Sequence, residues 1–135
     1  MRRSETRTGW LALVLGIVGG LGGLVVSSSF AWLLVKTSPR HHYVLDEFSD
    51  ALLMTYMGAL LLFFFPALVA SLTSLKVPRA SGLVLIATGG LSLIPAVHAT
   101  IVTFPGGLLA FPSGFLVLVA GVLVVVRSET ARVRP

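Results

Sequence analysis

Six of the eight His, Asp and Glu side chains in this sequence are placed where they could bind a metal ion together. Imidazole and carboxylate groups are suitable ligands for zinc or copper. Five of the six fall within ten residues ahead of the second apolar stretch, and the last precedes the end of the third: His41, His42, Asp46, Glu47, Asp50 and His98. The spacing lacks an HExxH or similar zinc motif. A solvated structural loop is therefore the main interpretation. A metal site built from His41, His42, Asp46 and His98 remains the alternative.

Few other residues in the sequence could take part in catalysis or bind a cofactor. The chain has no cysteine, which excludes thiol catalysis, iron–sulfur clusters and cysteine-based zinc sites. Its long apolar stretches contain no Asp, Glu, Lys or Arg, so the membrane carboxylate of a proton-coupled transporter is missing. A haem ligand would have to be His98, which falls on the helix side opposite the glycines described below. We therefore expect no catalytic residues, no cofactor and no enzymatic activity.

The composition indicates which elements must position these groups. The chain has 135 residues, of which 56% are hydrophobic and only 11% charged, too few to cover a water-facing globule. Its solvent must be the lipid bilayer. Four uncharged apolar stretches, at 10–35, 51–75, 81–104 and 107–126, each reach the roughly 20 residues that cross a bilayer as a helix. The sequence predicts an all-α bundle of four transmembrane helices forming one domain, 1–135.

The first apolar stretch has a competing interpretation as a signal peptide. Arg2, Arg3 and Arg7 precede it, and a small-residue site at 29–31 resembles a cleavage site. The apolar run is much longer than the roughly 7 to 15 residues of a signal core. We therefore expect it to be retained as the first transmembrane helix.

Basic residues predict the orientation, because positive charge near a span resists translocation. Eight of the ten Lys and Arg residues fall on one predicted side: Arg2, Arg3, Arg7, Lys76, Arg79, Arg127, Arg132 and Arg134. Lys36 and Arg40 fall on the other. Both termini and the turn at 76–80 are predicted in the cytoplasm, with the loop 36–50 and a tight turn at 104–106 outside an inner (plasma) membrane. The net charge of +5 is explained by this topology and by anionic lipid, so we expect no nucleic-acid partner.

Local patterns predict two further features next to and within the second span. From Tyr43 to Asp50, apolar and acidic residues alternate with a helical period, which predicts a short amphipathic interfacial helix leading into that span. Within the span, Phe63, Phe64 and Phe65 form a bulky ridge. The ridge either fills the space between smooth partner helices or forms an aromatic surface that faces lipid or a partner.

Glycines recur at intervals of seven residues in the other three spans. Seven residues return a helix to almost the same face, so each such span carries one smooth seam, and the first adds GxxxG spacing. Helices in lipid associate closely along such seams because no Cβ separates the backbones. The predicted helix-packing or partner interface comprises Gly16, Gly19, Gly20, Gly23, Ser27, Gly82, Gly89, Gly107, Gly114 and Gly121. On the first span this surface is either used entirely within the chain or left partly free for a second protein.

Three of these apolar segments carry a resemblance. They are VLGIVGG at 14–20, SGLVLIATGG at 81–90 and the ending at 114–127. The chain resembles a family of small bacterial four-helix membrane proteins that is described only as a domain of unknown function. The resemblance implies a bacterial inner-membrane protein with four spans, and it supplies no catalytic residues.

Three functions are compatible with these patterns. The leading hypothesis is a non-enzymatic accessory or structural subunit that docks with other membrane protein subunits, or with itself, through small-residue helix faces or the outer loop. A homo-oligomeric small transporter or channel, with its path between protomers, is the alternative. Extracytoplasmic metal binding ranks third.

Overall fold

The computed structural model describes residues 2–37, 44–102 and 104–133, and it describes side chains for 7–29, 32, 58–97, 100–101, 108 and 110–131. These residues form helices α1 (Arg2–Thr37), α2 (Val44–Thr73), α3 (Pro78–Val102) and α4 (Phe104–Val133). The all-α prediction is confirmed for this part of the chain. Each helix contains one of the predicted spans or nearly all of it.

The helices are longer than the apolar stretches at several ends. Helix α1 starts at Arg2 and α4 continues to Val133, because a helix leaving the hydrocarbon can continue through charged residues that favour helical structure. The segment predicted as a loop at 36–50 is shorter than expected, since α1 runs to Thr37 and α2 begins at Val44. Residues 44–50 are helical, as the amphipathic pattern predicts, and they are continuous with α2.

The turn predicted at 104–106 is wrong. Helix α4 begins at Phe104 and includes Pro105 and Gly106 in its first turn. A proline is well tolerated there, because the first amide groups of a helix have no intrahelical acceptor and the fixed φ of proline suits the helix. The same reasoning applies to Pro78, which is the first residue of α3.

The four helices form a closed ring in which chain neighbours are packed together and α4 also packs on α1. The most extensive interface joins α3 and α4, whereas the diagonal pair α2 and α4 barely touch. Neighbouring helices are antiparallel: Gly16 of α1 approaches Ala120 and Gly19 approaches Leu116, so α4 descends as α1 rises. The start of α1 and the end of α4 therefore lie at the same end of the bundle.

Three helices contain described stretches that are long and apolar enough to cross a membrane: Arg7–Ser29, Pro78–Val97 and Ala110–Ala131. In α2, the described apolar stretch Gly58–Thr73 is shorter. The core lies between the helices and is filled mainly by alanines and a few larger side chains. The largest fully buried apolar side chains are Leu60, Phe64, Leu85 and Val117.

Candidate functional site

The interface between α3 and α4 is built on glycine from both helices. A Cβ atom added to Gly89 would lie 2.6 Å from the backbone nitrogen of Leu118, and one added to Gly121 would lie 2.7 Å from that of Ile86. Such distances leave no room for a side chain, and backbone atoms cannot rotate away. We call the four glycines of this interface the α3–α4 seam: Gly82, Gly89, Gly114 and Gly121.

At the outer members of this seam, Gly82 and Gly114, the nearest atoms belong to side chains and the backbone lies farther away. A Cβ at Gly82 would lie 2.7 Å from Cγ2 of Val125, and one at Gly114 would lie 2.6 Å from Oγ of Ser92. The Ser92 hydroxyl is held in this position by donating to the carbonyl of Gly89 at 2.8 Å. Both helices thus present a smooth stripe to each other, and small side chains or side-chain branches fill the grooves beside it.

Helix α1 meets α2 mainly through side chains: Gly16 and Gly23 each face a polar or bulky side chain, whereas a Cβ at Gly20 would lie 3.4 Å from backbone atoms of Leu68. The ring of Phe64 lies against the backbone at Gly23, and the hydroxyl of Ser71 lies against Gly16. The side chain of Phe64 is only 1% exposed, whereas that of Phe65 is 62% exposed. The phenylalanine ridge is therefore divided: Phe64 fills the interior and Phe65 faces outward.

Helix α1 also presents glycine to α4. A Cβ at Gly19 would lie 2.9 Å from the carbonyl oxygen of Ser113, and one at Gly22 would lie 3.2 Å from the Ser113 hydroxyl. Near the end of the bundle, the guanidinium of Arg127 lies over Gly9. The side of α1 that faces α4 is thus distinct from the side that faces α2.

Together these contacts divide the small-residue surface of α1 between two neighbours in the same chain. Gly20 and Gly23 face α2, Gly19 faces α4, Gly16 lies between Ser71 of α2 and Ala120 of α4, and Ser27 is fully buried. The outward face of α1 instead carries exposed bulky apolar side chains: Leu11, Val14, Val18, Leu21 and Val25. The contacts favour the interpretation in which this surface is used within the chain.

Buried hydroxyl groups in the described helices mostly bond to nearby carbonyls of their own helix. Ser71 Oγ donates to the carbonyl of Ala67 at 2.7 Å, which is the usual way to satisfy a hydroxyl in an apolar interior. Thr73 and Ser81 join α2 to α3 through a hydroxyl–hydroxyl bond of 3.0 Å. Ser27 differs, because its buried Oγ has no hydrogen-bond partner in the described part of the chain.

The described basic side chains gather at one end of the bundle. Arg7 is near the start of α1, Lys76 lies in the turn between α2 and α3, and Arg127 is near the end of α4. Arg79 lies in the first turn of α3, with its Nε 3.8 Å from Oε1 of Glu129. Both of these side chains are more than half exposed, so this ion pair contributes little stability. The end of the bundle that holds the start of α1, the end of α4 and the turn between α2 and α3 is therefore called the basic end.

The candidate metal ligands fall largely outside the described residues. His41 and His42 lie outside them altogether, and for Asp46 and His98 only the helical backbone is described. Among the residues with described side chains, no group of three or more potential metal ligands occurs. The metal site stays a prediction.

Of the predicted interface glycines, Gly107 lies in the first turn of α4, and its contacts fall outside the residues that the structure describes.

Sequence reasoning missed an apolar groove on the outside of the bundle, between α2 and α3. Its walls include Phe65 and Val69 from α2 and Ala80 and Val84 from α3. Small residues at Ala70, Ala80 and Ser81 leave the space open. The sequence does indicate this groove, because small residues occur on both sides of the short turn between α2 and α3. These residues are alanine and serine, so the glycine pattern does not reveal them.

The fold and its interfaces define an all-α helical bundle with helices that could cross a membrane. Comparison of the chain with protein-family models, curated proteins and solved structures finds no match. The resemblance to a family of small bacterial membrane proteins therefore stays a prediction.

Proposed function

We propose that this protein is a non-enzymatic accessory or structural subunit of a bacterial membrane complex. In this proposal all four helices cross the inner membrane, with both termini in the cytoplasm. Helix α2 is included as a span because it packs lengthwise between α1 and α3, two helices that are long and apolar enough to cross. The gathering of Arg7, Lys76, Arg79 and Arg127 at one end supports a cytoplasmic position for that end.

One observation carries the structural role: helix backbones meet directly along the α3–α4 seam, and alanines with a few larger side chains fill the remaining interior. Closely packed interiors resist deformation, because sliding one helix past another would drive side chains into backbone. A bundle of this kind is suited to act as a rigid unit. A carrier, in contrast, must alternate between two arrangements of its helices.

Docking in this proposal uses the outward faces, since the small residues of α1 are already occupied by α2 and α4. The outward faces are apolar on all four helices. Each helix has an exposed apolar residue near its middle: Val18 in α1, Leu62 in α2, Leu91 in α3 and Val122 in α4. A partner subunit would cover one of these faces, and lipid would cover the others.

Site-specific photo-crosslinking in native membranes tests the proposal. A photoreactive residue is placed at each of Val18, Leu62, Leu91 and Val122 in turn, with the fully buried Leu85 as the control position. We expect one outward position to give an adduct with a single, reproducible membrane protein, while Leu85 gives only intrachain products. The absence of an adduct at every outward position in native membranes, together with solute flux by the purified protein in liposomes, would replace this proposal with the transporter alternative.

A further inference from the structure

The groove between α2 and α3 has the shape of a site for an extended apolar chain. It has a volume of about 510 Å³ and is largely open on the outer side of the bundle. Its floor is formed by the buried residues Ala70 and Ser81, and its walls by apolar side chains. Along α2 it extends from Phe65 to Thr73, which at 1.5 Å per residue is about 12 Å. This length is close to the depth of one leaflet, which is half of a hydrocarbon core of about 30 Å.

One end of the groove reaches the basic end of the bundle. Val77 lines the groove and stands next to Lys76 in the turn between the helices. Helix α3 starts directly after Val77, whose side chain offers no hydrogen-bond acceptor, and its first turn contains no acidic residue. Lys76 precedes the lining residue Val77 in the chain, so its positive charge and the positive end of the α3 dipole lie at the same end of the bundle as this end of the groove.

The polar groups inside the groove are already satisfied. Ser81 and Thr73 both line it, and their hydroxyls bond to each other at 3.0 Å across the two helices. An occupant therefore has no hydrogen-bonding group to meet along the floor. The chemistry that fits is an apolar chain inside the groove and a negative charge at its basic end.

We propose that this groove binds one acyl chain of an anionic phospholipid, with the phosphate of its headgroup beside Lys76. Basic residues close to a bilayer surface attract anionic lipid, and a groove between two helices adds contacts that one helix face cannot make. The inference requires only that the protein resides in a membrane. It does not depend on whether the protein is an accessory subunit or a transporter.

A second basic position supplies the comparison. Arg7 itself lines an open apolar hollow of about 550 Å³ with Trp10, Leu11 and Val14, and all four residues belong to α1. The two positions share a cation and an apolar surface at the same end of the bundle. They differ in that only the α2–α3 groove has walls from two helices, so stable lipid binding is expected there and not at Arg7.

Native mass spectrometry of the delipidated protein tests the proposal. The protein is titrated with phosphatidylglycerol and with phosphatidylcholine of identical acyl chains, and inorganic phosphate is added as a competitor. We expect one phosphatidylglycerol to bind about fivefold more tightly than phosphatidylcholine, the size expected for one basic group near an anionic headgroup. Excess inorganic phosphate should not displace it, because the acyl chain supplies the remaining contacts.

Four variants assign that binding to the groove. Lys76→Gln should abolish the preference for phosphatidylglycerol, and Lys76→Arg should retain it. Ala80→Leu should weaken the binding of both lipids, since its larger side chain extends into the groove from an exposed position that leaves the core intact. Arg7→Gln removes the same charge at the same end and should leave the preference unchanged.

Several results would overturn the proposal. Equal binding of the two lipids by the wild-type protein would remove the role of charge. If Arg7→Gln and Lys76→Gln reduced the preference for phosphatidylglycerol equally, the basic end would attract lipid as a whole and the groove would add nothing. Dimers that dissociate with Ala80→Leu, in place of lipid adducts, would identify a second copy of the chain as the occupant.

Discussion

Helix α3 meets its two neighbours in opposite ways. Toward α4 it presents Gly82 and Gly89, and the backbones come so close that a Cβ at Gly89 would lie 2.6 Å from the nitrogen of Leu118. Toward α2 it presents Ala80, Ser81 and Val84, and an open groove of about 510 Å³ lies between the helices. The same helix thus forms a tight interface on one side and an open one on the other.

Comparison of the two interfaces shows that the helix backbones come into contact where both helices supply glycines at matching positions. Gly121 of α4 lies opposite Ile86 of α3, while Gly89 of α3 lies opposite Leu118 of α4, so each glycine receives the neighbour's backbone. On the α2 side, Ala70 faces the groove without a matching glycine, and Phe65 and Val69 keep the outer rims apart. Dispersion contacts are correspondingly concentrated at the α3–α4 seam.

The largest expected effect comes from adding one methyl group to the seam. Gly89→Ala should destabilise the bundle by about 2 kcal/mol, because the new Cβ meets backbone atoms of Leu118 and the two helices must separate. SDS-titrated unfolding in mixed micelles, followed by circular dichroism, measures the free energy of unfolding. Gly121→Ala should behave alike, because its Cβ would meet the backbone of Ile86.

The adjacent glycine is the matched control for Gly89. A Cβ at Gly90 would have its nearest contact with Cδ1 of Leu118 at 3.7 Å, which is ordinary van der Waals separation. Gly90→Ala should therefore leave the free energy of unfolding unchanged or raise it by up to about 1 kcal/mol through helix propensity. Equal losses at 89 and 90 would show that glycine flexibility, and not close approach, sets the stability of α3.

The next effect distinguishes side-chain contacts from backbone contacts. Gly23→Ala should cost about 1.5 kcal/mol, because the added methyl group meets the buried ring of Phe64. In this interface a side chain can be shortened, so Phe64→Leu should cost less in the Gly23→Ala background than in the wild type. A double-mutant cycle on the same unfolding free energies measures this coupling. Strict additivity would contradict the contact.

A smaller effect of opposite sign is expected at Ser27. Its hydroxyl is fully buried and unpaired within the described structure, whereas Ser71 and Ser92 donate to helix carbonyls. Removing a buried, unsatisfied hydroxyl recovers its desolvation cost, so Ser27→Ala should stabilise the protein by about 1 kcal/mol. Thermal unfolding of Ser27→Ala beside Ser71→Ala provides the measurement. A destabilisation as large as that of Ser71→Ala would show that Ser27 does have a partner in the membrane.

The smallest effect is expected at Gly9. There the near contact is the guanidinium of Arg127, the far end of a flexible side chain close to the basic end. Gly9→Ala should change the free energy of unfolding by less than about 0.5 kcal/mol, since the arginine can swing aside. A loss as large as that of Gly89→Ala, measured in the same micelles, would mean that Arg127 is fixed in place.

The helices, and which glycines share one face of a helix, could be predicted from the sequence, because both follow from local rules. Apolar stretches of sufficient length must be helical in lipid, and a seven-residue interval places Gly82 with Gly89, and Gly114 with Gly121, on one face. The start of α4 was missed because Phe104, Pro105 and Gly106 are typical of a turn, yet proline also suits a first helical turn.

Which neighbour each face meets could not be predicted, because that depends on how all four helices close into a ring. The sequence shows that Gly16, Gly19 and Gly23 are small, but not that Gly19 faces α4 while Gly23 receives Phe64 from α2. The groove between α2 and α3 likewise arises from the distance between two helices and not from one motif. Local periodicity specifies the faces, and the packing of the ring assigns their partners.

Disulfide formation between α1 and α4 tests most directly whether the small-residue surface of α1 is used within the chain. The protein has no cysteine, so Gly22→Cys with Ser113→Cys introduces the only pair. A Cβ at residue 22 would lie 3.2 Å from the Ser113 hydroxyl, which is compatible with the separation that a disulfide requires. Oxidation in native membranes should give an intramolecular bond and a monomer on non-reducing gels. Covalent dimers would place this surface against a second copy of the chain, and the absence of any bond would show that residues 22 and 113 are not in contact; either result would contradict the account.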